Sequence, residues 1–458
     1  MKSPGIRQID YGTGSIVKAV LAGAGPMVFA QCLSLLYNIV DRMYIGRIPG
    51  QGAQALAGIG ICFPILTLTA AFASLFGSGG APLAAMESGK GNHREASLYL
   101  NASFSMLVLS GGLLMILCEF FAPQILTLFG ARSDSLETGL IYLYPVLTGT
   151  VFSMIASGMN PYINAQGFPL MGMITVLIGT LLNIGLDPLF IFVFGWGIQG
   201  AALATVISQV ISALAVIRFL TGARAVSKLS PSLWISSLQP ARVKAITSLG
   251  LAGFIMQVTN SLVQAVANST LSLHGGDLYI SAMTIVSSVR QIVETPLSGL
   301  RDGASPVMSF NYGAGKTSRL RRTITLTTGM SVLYAGVIWA LILAFPSAFT
   351  SLFSRDETLA ATAILCLHVY FFAFVFQALQ FSGQTVFTAL GRRNQAVFFS
   401  LFRKVILVVP LTLILPRHLG VMGVFAAEPV SNVIGGIACY ATMYLTVWKK
   451  LTAATREQ

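Results

Sequence analysis

The chain alternates long apolar runs with short breaks rich in glycine, proline and charge. One membrane crossing as a helix needs about 20 apolar residues. The breaks divide the sequence into twelve such spans, at roughly residues 16–46, 53–80, 95–121, 138–160, 168–194, 197–219, 244–273, 279–310, 322–346, 360–389, 395–415 and 420–447. The pattern predicts an all-α polytopic membrane protein with twelve transmembrane helices.

The second half of the chain repeats the first. Pro82, Gly89, Gly91 and Gly167 recur as Pro306, Gly313, Gly315 and Gly391, always at the offset given by 306 minus 82, which is 224. Leu128-Phe129 recurs as Leu352-Phe353 at that offset, and Gly197 and Gly200 recur as Gly420 and Gly423, one residue out of step. Six spans per repeat give the two halves parallel topology. The expected organisation is two pseudo-symmetric six-helix lobes, residues 1–220 and 242–458, with a cleft between them. A polar linker at 221–241, containing Ser230-Pro231 and Gln239-Pro240, would join them on the cytoplasmic side, with a short surface helix around Leu233-Trp234-Ile235.

Composition agrees with a bilayer protein: 55% of residues are hydrophobic and 9% charged, with 45 glycines. The net charge of +13 does not indicate nucleic acid, because the basic residues are scattered between apolar spans. Lys2, Arg7, Lys18, Lys90, Arg94, Arg224, Lys228, Lys316, Arg319 and Arg392 are among many on one side, against Arg47, Arg132, Arg355 and Arg417 on the other. That bias predicts both termini in the cytoplasm. Cys32, Cys62, Cys118, Cys366 and Cys439 sit inside apolar stretches without metal-type spacing and read as free thiols. No removable signal peptide is visible before Ser15. Gly315-Lys316-Thr317 looks like the end of a phosphate-binding loop, but Phe310 stands where that motif needs its first glycine.

Charges within the spans are the candidate chemistry, because an intramembrane ionisable group is costly. Asn183 and Asp187 lie four residues apart, on one helix face, and Pro188 withholds an amide donor next to them. Asp41, near the end of the first span, is a second acid. Its counterparts in the seventh span are neutral, and Asp187 falls opposite Pro410. If the two acids face each other they titrate as a coupled pair and can exchange a proton for Na⁺. The alternatives are a structural role for Asp187 and a salt bridge from Asp41 to Arg42 or Arg47. Ala201 and Thr205 are also four apart, so a carbonyl and a hydroxyl can approach one site. Tyr142, Tyr144 and Asn160 in the fourth span are polar groups that need partners if buried. In the eighth span Arg290, Glu294 and Arg301 share a face, with Pro296 between and Asp302 following; this stripe is either structural or part of the cleft wall. Glu428-Pro429 is an isolated acid of second rank, and methionines such as Met27 and Met283 suit an adaptable binding wall.

With these features assembled, the chain resembles the multidrug and toxic compound extrusion (MATE) family, in its prokaryotic branch with a cation site in the N-terminal lobe. The resemblance rests on the six-plus-six repeat, Gly79-Gly80-Ala81-Pro82, Ala165-Gln166-Gly167 and Asn183-x-x-x-Asp187-Pro188. It implies a secondary antiporter in the inner membrane of a prokaryote, exporting drugs or metabolites, organic cations among them, in exchange for Na⁺ or H⁺ by alternating access. It further implies Asp41, Asn183, Asp187, Ala201 and Thr205 as the cation ligands (Na⁺ being the candidate metal), with Tyr37, Tyr142 and Asn160 in the supporting polar network. Pro26, along with Pro188, would permit helix bending. Met27, Met283, Glu294, Arg301 and Asp302 are the expected cleft residues. No organic cofactor is expected, and the protein is expected to act as a monomer, with a small-molecule substrate and the bilayer as its partners. The alternatives are a lipid-linked oligosaccharide flippase, which needs a more basic cleft, and an intramembrane enzyme using Asp41 and Asp187 as an aspartyl dyad.

Overall fold

The computed structural model describes residues 7–131, 133–353 and 356–456, so Lys2, Arg132 and Arg355 of the topology argument lie outside the described residues. Twelve helical segments follow the twelve apolar runs: α1 (Ile16–Gly46), α2 (Gly52–Gly89), α3 (His93–Leu128), α4 (Ser133–Thr148 and Thr150–Ala165), α5 (Pro169–Val193), α6 (Gly197–Thr221), α7 (Pro240–His274), α8 (Gly276–Gly313), α9 (Thr317–Ala344), α10 (Glu357–Phe371 and Phe374–Ala389), α11 (Arg393–Leu419) and α12 (Met422–Ala453). Among the described residues, nine helices are long and apolar enough to cross a membrane singly, and eleven spans result when the two bent pairs are each taken as one. The twelfth is α8, whose apolar run is interrupted by Arg290, Glu294, Arg301 and Asp302.

The bends are 58° in α4 and 48° in α10. Gly149 sits at the first, where an added Cβ would lie 2.8 Å from Gln209 Oε1 of α6. By contrast α1 runs as one helix through Pro26, and α5 passes Pro188 into a wide π-type turn at Leu189–Val193. Such turns absorb a lost backbone donor and recur at functional sites.

The repeated glycines have a common cause. Gly91 and Gly315 adopt φ of 82° and 68°, and Gly167 and Gly391 adopt 85° and 68°. These four form the tight turns after α2, α8, α4 and α10, where a left-handed conformation excludes most side chains. All of these turns lie at the end of the bundle that also carries the N-terminal segment and the linker, here called the terminal end.

Each half encloses its own apolar core, around Leu107, Met159 and Tyr162 in the first and Phe371, Phe374 and Phe425 in the second. Between halves, α1 packs along α8 and α2 along α7. Small residues permit the approach: a Cβ on Gly303 would come within 2.3 Å of Ala24 N, and one on Gly79 within 2.4 Å of Ile246 O. At the terminal end a Cβ on Gly89 would lie 2.1 Å from Phe310 O, and one on Gly313 2.0 Å from Met86 O.

Two extended segments close that end. The linker lies on α3, with Ser230 N donating to Asn101 Oδ1 and Asn101 Nδ2 donating to Lys228 O, both at 2.9 Å. Its helical piece is one turn, Pro231–Leu233, slightly earlier than the sequence suggests. Residues 8–14 touch both halves. Tyr11 Oη donates to Asn164 O at 2.7 Å, while Asn311 Nδ2 donates to Tyr11 O at 2.9 Å and Arg319 Nη1 to Gly14 O at 2.8 Å. Asp10 organises the turn in this segment: the Thr13 hydroxyl and the Gly12 and Thr13 amides donate to it and hold its carboxyl below the usual range.

Candidate functional site

Toward the end opposite the termini, α1, α4, α5 and α6 converge. Asp187 and Asn183 are buried on the inner face of α5, Ala201 and Thr205 occupy successive turns of α6, and Asp41 approaches from α1. With its amide oriented to satisfy both neighbours, Asn183 Nδ2 donates to Asp187 Oδ2 at 2.9 Å, and its Oδ1 accepts from the Thr205 amide at 3.1 Å. Thr205 Oγ1 in turn donates to Ala201 O at 3.0 Å. The Asp41 and Asp187 carboxyls adjoin each other, and Tyr37 and Tyr142 lie close to them and to Thr205. The arrangement therefore brings seven of the expected residues into one constellation: Tyr37, Asp41, Tyr142, Asn183, Asp187, Ala201 and Thr205.

Asp41 Oδ1 and Asp187 Oδ1 are buried with no hydrogen-bond partner. No ion pair within 4.0 Å links Asp41 to Arg42 or Arg47, so the salt-bridge alternative has no support here. Two adjoining carboxyls with unused oxygens are unfavourable when both are charged, and a shared proton or a small hard cation relieves both costs. The donor set is wholly oxygen once Asn183 Oδ1, Ala201 O and Thr205 Oγ1 are added. That chemistry suits Na⁺ or H⁺ and offers nothing to a thiophilic metal.

Three expected residues lie elsewhere. Asn160 faces a different polar group on the terminal half of α5, donating to Gly172 O at 2.8 Å and Thr175 Oγ1 at 2.9 Å. Thr175 and Asn183 are eight residues apart on α5, about 12 Å at the helical rise, so Asn160 stands outside the acid pair's first contacts. Tyr144 is exposed on the outer face. Met283 is not on the cleft wall. It is packed with Ala282, Ile285 and Val286 in the core of the second half, because that face of α8 turns toward α10 and not toward α1.

A cavity of about 400 Å³ lies between the halves. Met27, Asn160, Arg301 and Asp302 line it, and both members of several repeat-equivalent pairs contribute to its wall: Ala81 and Ser305, Pro82 and Pro306, Asn160 and Gln384, Asn164 and Thr388. The wall contains methionine, alanine, amide and hydroxyl groups, and no aromatic ring among the described residues. Its only acid, Asp302, is paired with Arg301 at 3.2 Å. This wall is thus neither acidic nor aromatic, the character that would favour organic cations.

A second cavity of about 200 Å³ adjoins it, sharing Met256, Gln257, Arg301 and Gln384 as lining residues. Glu294 lies here, paired with Arg290 at 2.8 Å, and Gln377 donates to it. Arg403 Nη1 donates to Glu428 Oε1 at 2.7 Å and to Asn432 Oδ1 at 2.8 Å, and Lys404 Nζ lies 3.7 Å from the same carboxylate. The sequence reading passed over Arg403 and Lys404. The available signal was two adjacent basic residues inside an otherwise apolar span, which topology cannot explain.

Comparison with known proteins adds identity to this geometry. The family model MatE matches the chain twice, over residues 26–189 and 253–414. The multidrug export protein MepA of Staphylococcus aureus (strain NCTC 8325 / PS 47) is 25% identical over 451 residues, 96% of each chain. MepA of Staphylococcus haemolyticus (strain JCSC1435) is 25% identical over 415 residues, 90% of each. Among solved structures, an outward-facing multidrug resistance transporter of this type superposes with a TM-score of 0.88, at 21% identity over 97% of each chain. Another, in a straight conformation, superposes at 0.89 with 21% identity over all of both chains.

Proposed function

The chain belongs to the MatE family of membrane transporters, and on that premise we propose that it is a secondary antiporter that exports small organic solutes, drugs and organic cations among them, in exchange for Na⁺ or H⁺. A transporter family leaves no place for the aspartyl enzyme reading. The curated relatives are multidrug exporters, which favours efflux over lipid-linked oligosaccharide flipping.

In this reading the lobes at 1–220 and 242–458 rock about the α1–α8 and α2–α7 contacts, in the inner membrane of a prokaryote, with the terminal end cytoplasmic and the monomer as the working unit. The ion enters from outside to the Asp41/Asp187 site. Binding there ties α1 to α5 and α6 and changes the wall that Met27 presents to the central cavity. Export requires that the ion favour the state that holds substrate weakly, a differential affinity of the kind that defines coupling. The observation that carries the reading is the pair of buried, unpartnered carboxylate oxygens, Asp41 Oδ1 and Asp187 Oδ1.

The test is efflux of a fluorescent organic cation from drug-sensitive cells, comparing wild type with Asp187→Asn at matched expression, with and without external Na⁺. Loss of efflux in a folded Asp187→Asn protein is the expected result. Full activity of that variant would refute coupling through this site.

A further inference from the structure

The second cavity carries an unbalanced charge. Three cations, Arg290, Arg403 and Lys404, meet two carboxylates, Glu294 and Glu428. The fourth basic residue on its wall, Arg301, is already matched by Asp302. Arg290 is occupied by Glu294 and by Tyr370 Oη at 3.0 Å, and Arg403 by Glu428 and Asn432. Lys404 is left over. It is 2% exposed, lines the cavity, and its Nζ has no hydrogen-bond partner. An ammonium carries three donors and is costly to bury without acceptors. Its nearest carboxylate oxygen, at 3.7 Å, is beyond hydrogen-bond reach and is already taken by Arg403. Arg403 and Lys404 lie together on a wide π-type turn of α11, Phe402–Val408, and both are buried.

We propose that this corner of the cleft, formed by Arg290, Arg403 and Lys404, binds an oxyanion, most directly a carboxylate, carried by the transported small molecule. An oxyanion supplies the acceptors Lys404 lacks and cancels the excess charge. Continuity with the central cavity allows the remainder of the same molecule to lie between the lobes. Substrates are therefore acidic or zwitterionic as well as cationic. The proposal rests on the reading of the chain as an exporter of small solutes, but its test is equilibrium binding.

The purified full-length protein, in neutral detergent, is titrated by fluorescence anisotropy with rhodamine B, which has one carboxylate, and with its ethyl ester, which keeps the xanthene cation but lacks that charge. Wild type is expected to hold the acid at least about tenfold more tightly, the scale of one charge-assisted hydrogen bond. Lys404→Met removes the preference, whereas Lys404→Arg retains it. Should Lys404→Met fail to fold, wild type alone decides: sodium benzoate displaces rhodamine B and spares the ester. Equal affinity for acid and ester, binding of neither, or a preference that survives Lys404→Met overturns the proposal. Displacement of rhodamine B by phosphatidylglycerol does so too, by assigning the site to a lipid headgroup. Selective binding without ion-driven efflux would remove the antiporter reading and leave the site. Ion-driven efflux of the ester without acid preference would do the reverse.

Discussion

Asn160 and Gln384 make the same hydrogen bond in the two halves of the chain. Asn160 Nδ2 donates to Gly172 O at 2.8 Å, and Gln384 Nε2 donates to Ala396 O at 2.8 Å. The offset of 224 residues separates the two donors and also the two acceptors. Each amide has a second partner one turn further on, Thr175 Oγ1 at 2.9 Å and Ser400 Oγ at 2.8 Å. The repeat therefore extends from turn glycines to buried polar contacts on the cavity wall.

Replacing either amide by leucine tests what these contacts contribute. Gly172 O and Ala396 O each retain a hydroxyl donor, from Thr175 and Ser400, so neither carbonyl is orphaned. The expected cost is at the modest end, about 1 kcal/mol per substitution. The sites lie in different halves, so the double variant should lose the sum. Thermal unfolding in detergent measures both, and a double loss well beyond additive would show the halves to be one cooperative unit at this level.

The acid pair makes a different prediction. Asp41→Asn and Asp187→Asn each remove a charge from a buried, crowded position, so neither should lower the unfolding temperature. Each should abolish the response to the coupling ion. If that ion is Na⁺, exchanging K⁺ for Na⁺ raises the wild-type midpoint through preferential binding to the folded state, and both variants show no such rise. A Na⁺-induced rise that persists in Asp41→Asn would place the ion elsewhere.

Much of this was legible in the sequence, for physical reasons. Helix ends were readable because the breaks carry residues that end helices: Asn92 caps α3 by accepting from the Glu95 amide at 3.2 Å, and Gly91 and Gly315 hold left-handed turns that few other residues adopt. Asp41 and Asp187 could be paired because a buried carboxyl is too costly to stand alone. The bends at Gly149 and before Phe374 were not readable, since they depend on packing against other helices. The Met283 expectation failed because methionine chemistry is the same on a core face as on a cleft face. The charge cluster of the second half was missed in part because its α8 members lie over 100 residues before those of α11 and α12; Arg290, Glu294 and Glu428 were singled out, but Arg403 and Lys404 were not.

Glu428 is the acceptor that keeps two buried cations tolerable, with Arg403 at 2.7 Å and Lys404 at 3.7 Å. Glu428→Gln leaves Arg403 without its countercharge and enlarges the surplus that Lys404 already carries, and is expected to destabilise the protein by about 3–5 kcal/mol, the cost of breaking a buried pair from one side. Adding Lys404→Met removes one surplus charge and should recover part of that loss. Thermal unfolding of the single and double variants reads the effect. A Glu428→Gln protein as stable as wild type would mean that water already solvates the cluster.

Closure of the terminal end depends on backbone contact at Gly89 and Gly313, where a Cβ would lie 2.1 Å from Phe310 O and 2.0 Å from Met86 O. Neither obstacle is a movable side chain, so Gly89→Leu should hold the two halves apart at that end. In a Cys32→Ala background, an impermeant thiol reagent should reach Ser305→Cys from the terminal side of the membrane in Gly89→Leu and not in its parent. Transport should fall to background, because a carrier held open on one side cannot cycle.

The N-terminal segment bears on the same equilibrium from outside the helices. Residues 8–14 are held by the first half through Tyr11 Oη to Asn164 O and Ile9 N to Gly167 O, at 2.7 and 2.8 Å. The second half holds them through Lys316 Nζ to Gly12 O at 2.7 Å and Arg319 Nη2 to Thr13 O at 2.9 Å. Parting the lobes at this end must break one set or the other. Arg319→Ala deletes charge-assisted bonds to Thr13 and Gly14, each worth about 1.5–3 kcal/mol when well formed. It should therefore shift the population toward the state open at the terminal end by about tenfold or more. Tyr11→Phe removes one neutral bond on the opposite side and should shift it in the same direction by less. Spin labels at His93 and Thr317, equivalent positions in the two repeats, report the change as a longer distance component. If neither substitution alters that distribution, the segment rides with one lobe and does not tie the two together.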